Sequence, residues 1–288
     1  MPEYFFSVII PILNEEKFLP FLLTDLSRQV FHQFEVIIID AYSDDDSTVL
    51  AEKFRKKLPH LTIVQSKKRN SRYQRNKGVR FAKGNYLVLF EADVRVSPTF
   101  LKEVYAAIQE KPADCYATFL EIRSDSPIEQ LLICLSNMAL VGLQYIRKPF
   151  GGGFNTIVLK DAYRKLKGYR EDACISDDHD FVTRLYQAGY QYRVLTRPKV
   201  IYSLRRFYKQ GTIPVMWLYI SAAIYFILKG EPQKAENFSY PMGGHLYDKP
   251  SRYRYSFLIN QVNYYSDRIY RHAQNVNMKI NSWYRRYF

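Results

Sequence analysis

Short β-branched apolar runs alternate with helix-length segments through the first 90 residues, and this alternation restricts the fold more than any other feature of the sequence. Runs that are apolar at nearly every position are typical of strands buried on both faces of a parallel sheet. Strands separated by helical segments form βαβ units, so the pattern predicts an α/β fold with a mostly parallel sheet flanked by helices. The predicted strands are residues 6–12, 35–39, 61–64 and 86–90, and the predicted helices are residues 18–30, 47–57 and 74–83.

The positive charge is concentrated at the C-terminal end. The chain has 288 residues and a formal net charge of +14, and residues 199–288 carry +10 of it. Basic residues interleaved with Tyr, as in this stretch, bind nucleic acid by phosphate contacts and stacking, or bind an anionic membrane surface; they also form solvated helices. We expect a helical, basic and aromatic extension over residues 211–288.

Two uncharged apolar stretches, residues 131–146 and 212–228, are shorter than the roughly 20 residues of a comfortable membrane-spanning helix. We therefore predict helices in the protein core or on a membrane surface.

No basic segment precedes the first apolar run, which favours a first strand over a signal peptide. Three cysteines without a C-x-x-C pair favour a reducing compartment. These features predict a cytoplasmic protein, peripheral on the inner face of the cell membrane.

Polar residues follow each predicted strand at its carboxyl end. Open α/β sheets bind ligands beyond these ends, so we expect a binding site at this edge. A G-x-G-x-x-G or Walker lysine motif is missing from the sequence, which disfavours dinucleotide-binding and P-loop enzymes. The residues at the four strand ends are Asn14 and Glu15, then Asp40, then the basic loop 67–75, and finally Glu91, Ala92 and Asp93.

Glu91 and Asp93 are two positions apart, so in an extended chain both carboxylates point to the same side. Carboxylate oxygens bind Mg²⁺ or Mn²⁺, usually together with phosphates of a substrate. The basic loop could neutralise those phosphates, and Asp40 could hold a base or ribose. We assign turn and cap chemistry to Asp44 and Asp46 but not to Asp40.

The second half of the sequence adds three consecutive glycines at 151–153 and an acidic cluster at the start of a predicted helix. Consecutive glycines let the backbone approach a ligand closely, or form a flexible turn. Part of the acidic cluster serves as helix cap, and one carboxylate with a pKa raised by its neighbours is a candidate general base. The cluster consists of Asp177, Asp178, His179 and Asp180.

Six spaced motifs, in order over residues 6–207, resemble those of family 2 glycosyltransferases, whose fold is GT-A, a Rossmann-like α/β fold. The motifs are Ser7-Val8-Ile9-Ile10-Pro11-x-x-Asn14-Glu15; Asp40-x-x-Ser43-x-Asp45-x-Ser47-Thr48; Arg75-Asn76-x-Gly78; Ala82-x-Gly84-x-Tyr86; Glu91-Ala92-Asp93; and Gly168-Tyr169-x-Glu171 followed by Asp177-Asp178-x-Asp180.

The resemblance implies a role for each matching residue. Asp93, with Glu91, corresponds to the metal site of the D-x-D motif, and Asp178 to the base of the E-D motif, with Asp177 beside it. Gly152, Gly153 and Asp180 are placed on the acceptor side. The donor-binding residues are Pro11, Asn14, Glu15 and Asp40 around the nucleoside; Arg72, Arg75 and Asn76 near the diphosphate or its supporting loop; Glu91 and Ala92; and Arg205 and Arg206 beside the diphosphate.

Three departures from the family pattern affect these assignments. Ala41 stands where the family often has a second Asp, so one nucleoside contact is missing. Glu91 begins the D-x-D motif, and its longer side chain can hold ribose or metal differently. Asp177 replaces the Glu of the E-D motif, which leaves the base open among Asp177, Asp178 and Asp180.

The resemblance implies an inverting enzyme that uses Mn²⁺ or Mg²⁺ and moves a sugar from a nucleotide-diphosphate sugar to a hydroxyl of a glycan, lipid or small molecule. We divide the chain into a GT-A domain at 1–210 and the extension at 211–288; the domain has a nucleotide-sugar half at 1–125 and an acceptor half at 126–210. The expected pathway is cell-surface polysaccharide or glycolipid synthesis, with peripheral contact to anionic membrane and no nucleic acid.

Two alternatives stay open. A sugar nucleotidyltransferase has a similar sheet but usually carries a Gly-rich basic loop after the first strand, where this chain has Leu13-Asn14-Glu15-Glu16. A non-catalytic protein could use the basic aromatic tail to bind membrane or nucleic acid. Release of nucleoside diphosphate from a sugar donor distinguishes the predicted enzyme from both.

Overall fold

The computed structural model of the chain describes residues 4–151, 155–171, 177–211 and 215. Within them, one eight-stranded mixed sheet has the order β3-β2-β1-β4-β7-β6-β8-β5. Its strands are β1 Phe6–Ile12, β2 Phe34–Asp40, β3 Leu61–Gln65, β4 Tyr86–Phe90, β5 Arg95–Val96, β6 Cys115–Ile122, β7 Asn155–Leu159 and β8 Tyr192–Tyr202. The helices are α1 Leu19–Ser27, α2 Ser47–Glu52, α3 Ser71–Val79, α4 Phe100–Glu110, α5 Pro127–Tyr145, α6 Lys160–Lys165, α7 Asp177–Gln187 and α8 Arg205–Gln210.

The four predicted strands are confirmed as the parallel half of the sheet. β1 pairs in parallel with β2 on one side and with β4 on the other, and β3 extends the sheet beyond β2. β1 and β2 are buried at every position, as expected for strands covered on both faces. Their carboxyl ends therefore lie at one edge, which is where the predicted site residues begin.

Side chains of β1 alternate between two cores. Val8 and Ile10 belong to a core that also contains residues of α1 and α4, whereas Ile9 belongs to a core with residues of α3, α6 and α7. This alternation follows from the two-residue period of a strand. Helices thus cover both faces of the sheet, and the predicted α/β fold class is confirmed.

Two predicted helices have different ends in the structure. Asn70 accepts a hydrogen bond from the Tyr73 backbone N–H, so α3 begins at Ser71, three residues earlier than the apolar spacing indicates. The helix predicted over 47–57 ends at Glu52. α3 is fixed over the sheet because the Gln74 side-chain amide donates to the carbonyls of Ile12 and Ile39, at 2.9 and 2.6 Å.

The strands that follow β4 extend the same sheet through antiparallel and parallel pairs. β7 pairs antiparallel with β4 and with β6, and β8 pairs in parallel with β6 and antiparallel with β5. β7 covers only Cys115 and Tyr116 of β6. Farther along β6, the Asn137 side chain of α5 binds both the N–H and the carbonyl of Leu120, each at 2.9 Å, and so satisfies the backbone that β7 leaves uncovered.

α5 confirms a helix in the 131–146 stretch, and its residues are only partly buried. By length and hydropathy it is the one described helix that could cross a membrane, a test that core helices also pass, and 28% of its apolar window is buried. Leu135 and Tyr145 are exposed. The 212–228 stretch and the helical extension lie outside the described residues, apart from Val215, which is buried beside Phe207.

Candidate active site

Arg205 connects the ends of three elements at the carboxyl edge of the sheet. Its Nη1 and Nη2 donate to the two carboxylate oxygens of Glu15, at 2.7 and 2.8 Å, and its Nε lies 2.8 Å from Asp93 Oδ2. The Phe18 ring lies under the guanidinium, with a centroid distance of 4.9 Å. Glu15 follows β1, Asp93 follows β4 and Arg205 begins α8, so the fold brings together residues up to 190 positions apart.

Burial and charge shift the pKa values of Glu15 and Arg205 in opposite directions. Burial raises the pKa of Glu15 to about 7, and the hydrogen bond and charge of Arg205 oppose that rise. Burial lowers the pKa of Arg205, but its hydrogen bond to Glu15 and the charges of Asp93, Glu15 and Glu91 outweigh burial, so that pKa lies above its ordinary value. Arg205 is therefore a permanent cation of the site.

A second arginine binds the first residue of the D-x-D motif. Arg75 of α3 is 3% exposed, and its Nη2 donates to Glu91 Oε1. Its guanidinium also lies 5.5 Å from the centroid of the Tyr169 ring. Ala92 is buried between the two carboxylate residues, so its side chain offers only a small apolar contact.

No cluster of three or more His, Cys, Asp or Glu side chains suited to a metal occurs among the described residues. Asp93 and Glu91 nevertheless fit Mn²⁺ or Mg²⁺, because these ions are commonly held by one or two carboxylates together with phosphates of a substrate. The site also contains three carboxylates, counting Glu15, against the two guanidiniums of Arg75 and Arg205. This charge balance favours an additional cation.

Hydrogen bonds join the loops that follow β1 and β2. Asn14 has a positive φ of 54°, and its Oδ1 accepts from the Asp44 backbone N–H at 2.7 Å. The Asn14 N–H donates to Ser43 Oγ at 2.9 Å. Pro11 is buried in β1, next to Ile39 of β2. Pro11 and Asn14 therefore shape the loop at this end of β1.

Asp40 performs the turn chemistry that we assigned only to its neighbours. Its carboxylate accepts from the Ser43 N–H at 3.1 Å and from the Ser43 hydroxyl at 2.5 Å, and the residue is 1% exposed. Turn chemistry was therefore wrongly excluded for Asp40. These hydrogen bonds fix the turn that follows β2. Asn14 contacts the same turn.

Asp46 is confirmed at the N-cap position of α2, but not as a side-chain cap. Asp46 occupies the N-cap position without a side-chain hydrogen bond, whereas Asp45 Oδ1 accepts from the Ser47 N–H at 3.0 Å. Ser47 Oγ in turn accepts from the Glu15 N–H at 2.7 Å. Asp44 instead forms an exposed ion pair with Arg69 at 2.9 Å. The acidic run thus supports the loop that carries Glu15.

Asp178 begins α7 in a buried polar environment. It is 5% exposed, and its Oδ1 accepts from the Tyr169 hydroxyl and, at 3.3 Å, from Thr156 Oγ1. Gly151 packs directly on the Asp178 backbone, since a Cβ at Gly151 would lie 2.2 Å from the Asp178 carbonyl oxygen. The first glycine of the triplet therefore serves backbone packing, and the Asp178 carboxylate is held in one orientation.

Asp180 has different partners. Its Oδ2 accepts from Arg184 Nε at 2.7 Å, and its Oδ1 lies 3.6 Å from Arg170 Nη1. Two arginines therefore stabilise Asp180 as a structural carboxylate, which makes it the weaker candidate for the base. The Asp177 side chain, Gly152 and Gly153 lie outside the described residues.

Asn76 holds the segment that carries Tyr169. Its Nδ2 donates to the Tyr169 carbonyl at 2.8 Å, and its Oδ1 accepts from the Tyr169 N–H at 3.0 Å and from the Tyr163 hydroxyl at 2.7 Å. Gly168, with φ of 66°, allows this close approach. Arg72 lies in the first turn of α3, and Arg206 is buried in α8.

Three residues of the site carried no predicted role. Tyr169 lies within a quoted motif, and its hydroxyl contact with Asp178 follows only from the fold. Thr156 on β7 and Phe18 before α1 have no sequence signal beyond their proximity to an element end. Arg75 and Tyr169 together connect Glu91 of the donor half to Asp178 of the acceptor half.

Solved structures share this fold. Staphylococcus aureus TarS 1–349 superimposes with a TM-score of 0.57 at 21% identity, covering 78% of this chain and 75% of that one. The mannosyltransferase PcManGT from Pyrobaculum calidifontis, solved with GDP-Man and Mn²⁺, gives a TM-score of 0.58 at 18% identity, covering 71% of this chain and 59% of that one.

Sequence comparison gives the family. The poly(ribitol-phosphate) β-N-acetylglucosaminyltransferase TarS of S. aureus is 31% identical over 112 residues, or 38% of this chain and 20% of TarS. A dolichyl N-acetyl-α-D-glucosaminyl phosphate glycosyltransferase of Methanococcus voltae is 24% identical over 259 residues, or 78% of this chain and 80% of that protein. The match spans about a third of a further relative, GlyG of Streptococcus pneumoniae. Residues 7–175 match the family "Glycosyl transferase family 2", and the chain belongs to this family.

Proposed function

We propose that the chain is an inverting glycosyltransferase that moves a sugar from a nucleotide-diphosphate sugar to an acceptor hydroxyl. One observation carries the proposal: the buried Asp178 carboxylate is oriented by Tyr169, whose ring contacts the arginine that binds Glu91. These contacts link the positioned carboxylate to the proposed donor site, which is rich in carboxylates and arginines. Direct displacement at the anomeric carbon requires a base and a charged donor site. It does not require a nucleophile on the enzyme.

In the proposed reaction Asp178 accepts the proton of the acceptor hydroxyl. The hydroxyl oxygen forms a bond to the anomeric carbon from the face opposite the diphosphate, and the bond from that carbon to the diphosphate oxygen breaks. The electron pair of the broken bond stays on the nucleoside diphosphate. Arg205 supplies a permanent positive charge beside that leaving group, which lowers the barrier by stabilising the developing charge.

Asp93 and Glu91 would hold Mn²⁺ or Mg²⁺, in accordance with the charge balance of the site. When bound, the ion supplies charge stabilisation on the departing diphosphate. Asp40, Asn14 and Pro11 shape the turn proposed to receive the nucleoside. Asn76 acts in this proposal by positioning Tyr169, and the other predicted donor-binding residues keep their assigned roles.

The names of relatives suggest the class of acceptor. TarS is named for poly(ribitol-phosphate), and the M. voltae relative for a dolichyl-linked sugar phosphate. We therefore propose a glycan or lipid-linked hydroxyl as acceptor, in cell-surface polysaccharide or glycolipid synthesis. The donor sugar stays open between UDP- and GDP-linked sugars.

We propose a cytoplasmic enzyme in peripheral contact with anionic membrane, and no nucleic-acid partner. α5 supports membrane contact: its exposed Leu135 and Tyr145 are followed by exposed Arg147 and Lys148, the combination that binds an anionic interface. Co-sedimentation with anionic and neutral vesicles tests this proposal. Leu135→Asp should weaken binding to anionic vesicles, whereas Val49→Asp, at an exposed position of α2, should not.

A donor screen tests the reaction. The chain is incubated with UDP- and GDP-sugars, Mn²⁺ and candidate acceptors, and the released product is identified. Release of nucleoside diphosphate supports glycosyl transfer. Formation of pyrophosphate from a nucleoside triphosphate and a sugar phosphate identifies a nucleotidyltransferase instead, and neither product under any condition indicates a binding protein.

A further inference from the structure

We propose that Arg205 is a built-in counter-cation that competes with a divalent metal for Asp93, and that Glu15 is a positioning residue that retains Arg205 when the metal takes Asp93. This inference rests on the proposed function. It differs from the expected roles, in which Glu15 contacts the nucleoside and Arg205 simply meets the diphosphate.

The guanidinium is held on three sides. Its two terminal nitrogens bind Glu15 in a bidentate pair at 2.7 and 2.8 Å, its Nε faces Asp93 Oδ2 at 2.8 Å, and the Phe18 ring covers one face at 4.9 Å. Bidentate pairing is the stronger and more directional of the two carboxylate contacts. Glu15 is therefore the anchor, and Asp93 is the partner that can be exchanged.

A divalent ion on Asp93 would share this carboxylate with Arg205, whose Nε lies 2.8 Å from Oδ2. Mn²⁺ or Mg²⁺ binds a carboxylate oxygen at roughly 2.0–2.2 Å, which would bring it close to a guanidinium now 2.8 Å from the same carboxylate. Repulsion between the two cations weakens one contact or the other. Metal binding should therefore release Nε from Asp93 while Glu15 keeps the side chain beside the diphosphate.

The charges explain why such an arrangement is useful. Without Arg205, Glu15 and Asp93 would lose the guanidinium that pairs with both of them, and Glu15 is buried. A buried carboxylate without a partner is costly. Arg205 offsets this cost before substrate arrives, and after metal binding the same charge becomes available to the anionic leaving group.

Direct measurement of Mn²⁺ binding tests the inference without any turnover. Free Mn²⁺ is followed by its electron paramagnetic resonance signal in titrations of the full chain, both without nucleotide and with a fixed excess of UDP or GDP, whose own Mn²⁺ binding is measured separately. Arg205→Ala should bind Mn²⁺ about tenfold more tightly than the wild type, the scale of one charge-assisted hydrogen bond. Lys209→Ala removes a positive charge at an exposed position farther along α8 and should change the affinity much less.

A charge-neutral pair of substitutions separates competition from long-range attraction. The double variant Glu15→Gln/Arg205→Gln leaves the net charge of the site unchanged and removes the buried ion pair as a unit, so it also covers the case in which Arg205→Ala does not fold. Glu15→Gln alone should weaken Mn²⁺ binding, because Arg205 is left with Asp93 as its carboxylate. Adding Arg205→Gln to this variant should raise the Mn²⁺ affinity above that of the wild type. A purely structural role of Glu15 predicts no such reversal.

The outcomes are distinct. Mn²⁺ affinity that is unchanged or weaker in both Arg205→Ala and the double variant overturns the competition. Equal tightening in Lys209→Ala also overturns it, in favour of general electrostatics. No Mn²⁺ binding by any variant overturns the metal site and this inference together, whereas glycosyl transfer is judged separately from nucleoside diphosphate release.

Discussion

Removing a single hydroxyl group, in Tyr169→Phe, should change the pH dependence of transfer. The Tyr169 hydroxyl donates to Asp178 Oδ1, and the Tyr169 ring is 2% exposed. Because the substitution keeps the ring, the main change is the loss of one buried donor to the proposed base. A hydrogen bond to the ionised form lowers the pKa of a carboxyl group, so its loss should raise that of Asp178.

The magnitude follows from the kind of hydrogen bond. A bond to a charged group contributes about 1.5–3 kcal/mol, and one pKa unit corresponds to about 1.4 kcal/mol. The acidic limb of the pH profile of kcat/KM should therefore move upward by about 1–2 pH units. Thr156 Oγ1 still donates to the same oxygen, at 3.3 Å, which favours the lower end of this range.

The assay is kcat/KM for nucleoside diphosphate release across the pH range in which the protein stays folded. Tyr163→Phe is the matched control: its ring lies 5.8 Å from that of Tyr169, it is also buried, and its hydroxyl donates to Asn76. The control should leave the acidic limb in place. An unmoved limb in Tyr169→Phe, or the same shift in both variants, would refute Asp178 as the titrating base.

Three further predictions concern the same site. Asp93→Ala should abolish transfer and remove the Mn²⁺ dependence of nucleotide binding, measured by calorimetry with and without Mn²⁺; unchanged turnover would contradict the metal assignment. Asp178→Asn should keep donor binding and lose transfer by about a hundredfold or more, and an equal loss in Asp180→Asn alone would reassign the base. Asn76→Ala removes three hydrogen bonds and should lower the free energy of unfolding by about 2–3 kcal/mol, measured by denaturant titration against Asn70→Ala.

The parallel half of the fold could be predicted because its signal is local. The apolar run Phe6–Ile12 has the same bounds in the sequence pattern and in the structure, as does Tyr86–Phe90. Once such strands are parallel, topology alone places the residues that follow them at one edge. Glu15, Asp40 and Asp93 were therefore predictable as neighbours without any knowledge of their contacts.

The contacts themselves could not be predicted, because polar side chains choose among several possible partners. Glu15 and Arg205 are 190 residues apart, and nothing near either residue indicates the other. Asp180 has the same composition signal as Asp178, yet Asp180 contacts Arg184 and Arg170 whereas Asp178 accepts from Tyr169 and Thr156. Asp45 accepts a hydrogen bond from the backbone at the start of α2, whereas the adjacent Asp46 does not. Which of the two residues does so depends on backbone angles that the sequence does not reveal.

Both side chains of the motif Arg75-Asn76 bind other groups of the protein. Arg75 lies against the Tyr169 ring and binds Glu91, and Asn76 binds the Tyr169 N–H and carbonyl. Two consecutive residues of α3 thus fix the backbone and the ring of Tyr169, whose hydroxyl fixes Asp178. Because Gln74 ties the same helix to the ends of β1 and β2, the position of the proposed base is set from the donor side of the sheet.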